Sequence, residues 1–243
     1  MNTPRDIESE FGVPFPGRIL PRDRWTRTGY RDPGVPFDWQ GVFGRDAARV
    51  VDLGCGNGRY LIASSLARPE LDHLGIDLVQ VAIDFAARRA NRRGLTSVRF
   101  VVGDAVTWMS DRLRMDSVDE VHVYHPQPYY DPAERARRLL TPEFLERTWA
   151  VLRRGGKLVL QSDNKAYWKY LLRAVQKHFD PEALSGPWPD APRGRTRREI
   201  QAQKKGLVVW RMQARKRDIP LDIAVPSADF DADRPHFQRL KGG

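Results

Sequence analysis

The sequence predicts an α/β fold, a mostly parallel sheet with helices on both faces. Short β-branched runs alternate with helical patterns from Arg49 onward. One run ends in glycines at alternate positions, and two later runs end in aspartate. At 243 residues the chain can form one large domain with extensions and bury a substantial core.

The first stretch, residues 1–44, is rich in Pro, Gly and Arg and has little periodicity, which predicts an N-terminal arm. Residues 45–217 form the expected main domain. Strands are predicted over 49–53, 73–77, 98–102, 120–124 and 157–162, and helices over 59–67, 78–93, 142–152 and 165–178. Thr141-Pro142 supplies an N-cap and a first-turn proline, and Gly155-Gly156 ends that helix. Residues 180–195 read as a Pro/Gly-rich connection, 207–214 as a late strand and 218–243 as a polar C-terminal tail.

The net charge of +10 and pI near 10.0 point to a polyanionic partner, nucleic acid first. A single cysteine, Cys55, excludes an internal disulfide and a cysteine-based zinc site, and it reads as a small buried filler; no metal is expected. No apolar run is long enough to span a membrane, and the polar, proline-rich start is no signal peptide. A soluble, cytoplasmic protein is the expectation, a monomer or weak dimer.

Val50-Val51-Asp52-Leu53-Gly54-Cys55-Gly56-Asn57-Gly58 carries the chemistry. Gly54, Gly56 and Gly58 let the backbone turn tightly and approach a ligand where a helix N-terminus points its amides outward. Asp77 closes the second strand, about 20 residues on, where a carboxylate accepts both ribose hydroxyls or caps the next helix. Asp104 closes the third, where it accepts from an adenine amine or likewise serves as an N-cap. Dinucleotide enzymes seat a pyrophosphate with G-x-G-x-x-G spacing. Here the spacing is G-x-G-x-G, with Asp52 two residues ahead; an acid there repels pyrophosphate and suits a cationic ligand bearing an ammonium. The motif resembles the first motif of the Rossmann-like methyltransferases, which implies S-adenosylmethionine as cofactor and a sheet of about seven strands.

Beyond strand four, Tyr124-His125-Pro126-Gln127-Pro128-Tyr129 should lie over the methyl group, where a rigid Pro-x-Pro-aromatic loop can stack a flat base. His125 is placed beside the cofactor, able to contact the acceptor base or to be structural. This loop, then Arg137-Arg138-Leu139, Thr141-Pro142-Glu143-Phe144-Leu145, Ser162-Asp163 and Thr196-Arg197-Arg198-Glu199, runs in the order of the bacterial tRNA (guanine-N7)-methyltransferases. The chain resembles that family from about Phe43 to Arg217. The resemblance implies tRNA or another structured RNA as partner and tRNA modification as the activity. In the family an aspartate of the Pro-x-Pro loop takes part in catalysis or guanine binding, and the Thr and Glu of the late motif line the cofactor and guanine pocket. Gln127 stands at that aspartate's position, Tyr129 replaces a tryptophan, and Arg198 replaces a phenylalanine. Carried over, the resemblance implies Gln127, Asp163 and Glu199 as catalytic, Thr196 beside the cofactor, and Tyr129, Asp163, Arg197 and Arg198 against the substrate. Asp163 reads equally as an N-cap, and Glu199 as a partner of a neighbouring arginine.

Guanine N7 carries a free lone pair, so its methylation needs alignment with the sulfonium rather than a base. Two further readings stay open: a methyltransferase for an amino-group acceptor, and a paralogue that binds RNA or cofactor with weakened turnover. The arginines and lysines of 193–217 read as phosphate contacts. Arg88, Arg89, Arg92 and Arg93 read as an outer helix face, Trp149, Trp168 and Trp210 as core, and Trp25 and Trp39 as stacking or lid residues.

Overall fold

A hairpin of two short strands, β1 (Ser9–Glu10) and β2 (Val13–Pro14), precedes the main sheet in the computed structural model, which describes residues 8–129 and 131–219. The sheet is built from β3 (Gly29–Tyr30), β4 (Arg49–Leu53), β5 (Asp72–Asp77), β6 (Val98–Val102), β7 (Val118–Tyr124), β8 (Leu152–Ser162), β9 (Phe179–Leu184) and β10 (Trp210–Lys216). Its spatial order is β3-β6-β5-β4-β7-β8-β10-β9. The first six positions pair in parallel, whereas β10 runs antiparallel to both β8 and β9. Chain direction across the sheet reverses between β4 and β7, the switch point at which α/β sheets open a ligand crevice.

The helices are α1 (Trp39–Phe43), α2 (Arg59–Ala67), α3 (Gln80–Asn91), α4 (Ala105–Thr107), α5 (Pro142–Val151), α6 (Lys165–Ala174) and α7 (Arg197–Lys204). Strand alternation assigns them to two faces. Val51 and Leu53 join one core with Leu145 and Trp149 of α5 and Leu171 of α6, while Val50 joins a second with Leu61 of α2 and Ala86 of α3.

The mostly parallel sheet agrees with the sequence reading, with eight strands against about seven. β4, β6 and α2 have the predicted bounds. Gly155-Gly156, read as ending a helix, instead lies in an irregular stretch of β8, where pairing jumps from Val118–Leu152 to Glu120–Lys157. A Cβ on Gly156 would sit 2.8 Å from the Arg153 carbonyl oxygen. β9 falls largely on the predicted 180–195 connection, starting one residue before it; it contains Pro181, which a sheet edge tolerates. α7 lies outside the predicted helices, because its polar sequence buries no apolar side chains besides Ile200 and Ala202. Part of the N-terminal stretch is also built in: β3 pairs with β6, and Trp39 is no lid. It is 4% exposed, edge-on to Phe37 at 4.8 Å and beneath the Arg49 guanidinium. Trp25 is held by its own indole N–H donating to the Leu20 carbonyl.

Candidate functional site

A cleft of about 650 Å³ opens at the C-terminal end of β4, between the glycine loop, the start of α3 and the start of α7. Gly54, Gly56 and Gly58 all have positive φ (75°, 53° and 74°). Only the third is also sterically obligatory: a Cβ there would lie 2.8 Å from Ala86 and 2.9 Å from Phe100. Above Gly54 and Gly56 a Cβ would meet nothing, leaving open space at the loop's surface. Asp77 fixes the loop from β5, accepting from Gly56 N at 2.8 Å with one oxygen and from Val79 N at 2.9 Å with the other. Each oxygen retains a second lone pair for a ligand hydroxyl.

Asp52 lies under this loop, 2% exposed, and its Oδ1 has no hydrogen-bond partner among the described residues. Burial, reinforced by the charge of Asp77 and opposed by Arg195, pushes its carboxyl well above the usual range. Cys55 is buried beside it, and burial together with the Asp52 and Asp77 charges raises its thiol, so it acts as an inert filler.

The opposite wall is a chain of polar contacts. The Trp188 indole N–H donates to Gln161 Oε1, which turns the Gln161 amide so that Nε2 donates to His125 Nε2 at 2.7 Å. His125 must then carry its proton on Nδ1, which faces Asp163 Oδ1 at 3.3 Å. Arg198 completes the chain with two hydrogen bonds to Asp163, at 3.0 and 3.1 Å. Burial alone would raise the Asp163 carboxyl, but His125 and Arg198 outweigh it and hold the group well below its ordinary range. His125 itself sits at φ 52°, a left-handed position unusual for a residue with a Cβ, and its N–H donates to the Gln161 carbonyl at 2.7 Å.

Residues 46–212 match the family described as a putative methyltransferase. A tRNA (guanine-N(7)-)-methyltransferase of Alkalilimnicola ehrlichii is 30% identical over 201 residues, covering 81% of this chain and 85% of that protein. The chain belongs to the tRNA (guanine-N7)-methyltransferase family. A second relative of that name, from Halorhodospira halophila, is 31% identical over 188 residues, 75% of this chain and 81% of its own length. In fold, the 16S rRNA methyltransferase KamB is similar with a TM-score of 0.54 at 14% identity, covering 73% of this chain and 92% of that one.

The residues present fit the family's cofactor, S-adenosylmethionine. Asp52 offers a buried acceptor to an ammonium, Asp77 has lone pairs for the ribose, and the space over the glycines admits the ligand backbone. Thr196, Arg197 and Arg198 line the same cleft, with Tyr124 and His125. Thr196 Oγ1 also accepts from Glu199 N as the cap of α7.

Glu199 is not at the cleft: it is 0% exposed and committed to Arg211 at 2.9 and 2.5 Å and to Arg195 N at 2.7 Å. Asp104 caps α4, accepting from Thr107 N at 2.9 Å and Thr107 Oγ1 at 3.2 Å. Gln127 is exposed on the loop after β7, and Tyr129 is half-buried at φ 41° with the Arg137 guanidinium 5.0 Å from its ring. Arg138 clamps that loop, donating to the Pro128 and Tyr129 carbonyls at 2.5 and 2.7 Å.

Sequence reading missed the wall behind Asp52. Glu120, His122 and Tyr124 alternate along β7, so they share one face. His122 Nδ1 bonds Tyr124 Oη at 2.8 Å, and Arg195 donates to the same hydroxyl at 3.0 Å. The period-2 spacing of three polar residues in a central strand was the available signal. A larger recess of about 910 Å³ lies behind this wall, away from the glycine loop, with Arg59 and Tyr60 common to both cavities.

Proposed function

We propose that the protein transfers a methyl group from S-adenosylmethionine to N7 of a guanine in tRNA. The observation that carries this reading is the convergence on one cleft of Asp52, buried with one oxygen unpartnered, and of His125 and Arg198, which Asp163 joins from behind. When bound, S-adenosylmethionine supplies an electrophilic methyl carbon on a sulfonium sulfur. Asp52 accepts hydrogen bonds from the ammonium, and Asp77 holds the ribose while fixing the loop that carries the ligand. The guanine lone pair needs no base, so the acceptor wall has two tasks, alignment and charge. Asp163, kept ionised by Arg198 and His125, places a negative charge near the base as it becomes cationic. Gln127 supplies an amide that both donates and accepts, and Tyr129 a ring for the base to lie against. The same reading includes a cytoplasmic location and action as a monomer or weak dimer; no helix among the described residues is long and apolar enough to cross a membrane.

The test is transfer from labelled S-adenosylmethionine to unmodified tRNA, followed by nucleoside analysis. Label in 7-methylguanosine is the expected result. Cofactor binding with no label in tRNA, or label in an amino-methylated nucleoside, would refute the proposal.

A further inference from the structure

The N-terminal hairpin ends in an aromatic side chain that no core explains. β1 and β2 pair Ser9 with Pro14 and Glu10 with Val13, leaving Phe11-Gly12 as the two-residue tip. Both tip residues have positive φ, 51° and 77°. Such turns favour Asn, Asp or Gly, and a bulky side chain there is an outlier. Phe11 nevertheless occupies it and is 37% exposed.

The mount beneath this ring is rigid. Glu10, 9% exposed, accepts from Asn57 of the glycine loop at 2.5 Å and pairs with Arg59 and Arg89 at 3.4 and 3.2 Å. Glu8 pairs with Arg89, Arg92 and Arg93 at 3.5, 2.9 and 3.1 Å. Phe15 is buried under the guanidiniums of Arg59, Arg89 and Arg93. The tip is therefore locked to α3 and to the loop under the cofactor.

A second exposed ring, Phe85 of α3, lines the same recess of about 380 Å³ as Phe11, with Asn57, Arg89 and Arg197. The recess is continuous with the cofactor cleft, because Asn57, Phe85 and Arg197 border both. Cations ring it. The Arg197 guanidinium lies 5.3 Å from the Phe11 ring centre, and a Cβ on Gly12 would lie 3.8 Å from Lys204 Nζ. Exposed aromatics on a rigid mount, interleaved with arginine and lysine, are how proteins hold unpaired nucleotides without reading their sequence.

The geometry points to a stacking subsite for the nucleotide adjacent to the methylated one, its base against Phe11 and Phe85 and its phosphate at Arg197 and Lys204. This subsite rests on the proposed RNA methyl transfer and extends it to the neighbouring nucleotide. A single-stranded base is preferred over a protein side chain because the rim is cationic and the recess opens directly onto the cofactor cleft.

The experiment uses a short single-stranded RNA carrying one guanosine flanked by 5-iodouridine, irradiated with the full-length protein. Crosslinks to Phe11 or Phe85 are expected. Phe11→Gly, which suits the left-handed tip, should abolish the Phe11 adduct, weaken binding of that RNA about ten-fold and raise KM for tRNA while kcat holds. Phe85→Leu keeps apolar bulk on an intact helix and should remove the second adduct, so the test survives any disturbance of the hairpin. Crosslinks mapping only elsewhere, no crosslinks, or unchanged affinity in Phe11→Gly would overturn the subsite. Methyl transfer to tRNA by the unaltered protein is scored separately, so a failed subsite and a failed transfer reading give different results.

Discussion

A carboxylate ahead of a glycine loop would repel a phosphate, yet Asp52 is kept there buried, with one oxygen unpartnered. Its folded pKa lies above that of the unfolded chain. The protonated form therefore stabilises the fold fully below the ordinary carboxylate range, and that contribution is lost as pH rises through the folded value. Burial of this carboxyl opposes folding at neutral pH, and a cationic ligand would relieve that cost. Asp52→Asn should accordingly raise the ligand-free Tm at neutral pH, with the gain shrinking in acid. It should also weaken S-adenosylmethionine binding about ten-fold or more, the value of one charge-assisted hydrogen bond. A lower neutral-pH Tm with unchanged cofactor affinity would contradict the assignment. Across the cleft, His125 depends on Gln161 for its tautomer. Gln161→Leu removes that donor and should lower kcat while leaving the cofactor Kd unchanged. An unchanged kcat would show Gln161 to be only packing.

At the scale of elements, α7 and β10 act as one piece. Glu199 in the first turn of α7 and Arg211 in β10 form a buried pair, 0% and 5% exposed. Breaking such a pair from one side leaves an uncompensated charge. Glu199→Gln or Arg211→Met alone should each cost about 3–5 kcal/mol in denaturant unfolding, and the double substitution Glu199→Leu with Arg211→Met should recover most of it. Additive losses would assign Glu199 a role apart from Arg211. Local signals made part of this architecture legible. Val50 and Val51 before alternate glycines mark β4, and Thr141-Pro142 starts α5. Pro181 concealed β9, and the polar surface of α7 concealed a helix whose anchor is an arginine on another element. In the site, chain order placed Asp52, Gly54, Gly56, His125, Thr196, Arg197 and Arg198 in one cleft, while Gly58 packs beneath it. What order lacks is the donor–acceptor matching of Trp188, Gln161 and His125, because hydrogen bonds between distant elements leave no period in a sequence.

For the molecule as a whole, a net charge of +10 matters through its distribution. If six to ten phosphates are neutralised on binding, tRNA affinity falls about 10³–10⁵-fold between 50 and 200 mM salt. Arg197→Gln, at the cleft, should reduce the slope of log Kd against log salt by about one. Arg154→Gln, at the far end of β8 and paired to Asp218, should leave it unchanged. Equal slopes for both variants would detach the RNA footprint from the cofactor cleft.

β10, the last strand of the sheet among the described residues, takes an interior place between β8 and β9. During synthesis the glycine loop leaves the ribosome long before Arg211 does, so α7 has no anchor and the cleft lacks its Thr196–Arg198 wall. Capture of the small ligand thus needs residues well over a hundred positions beyond the glycine loop as well as the loop itself. A chain stalled before residue 210 would carry the glycine loop in full and still lack the strand that anchors the far wall of the cleft.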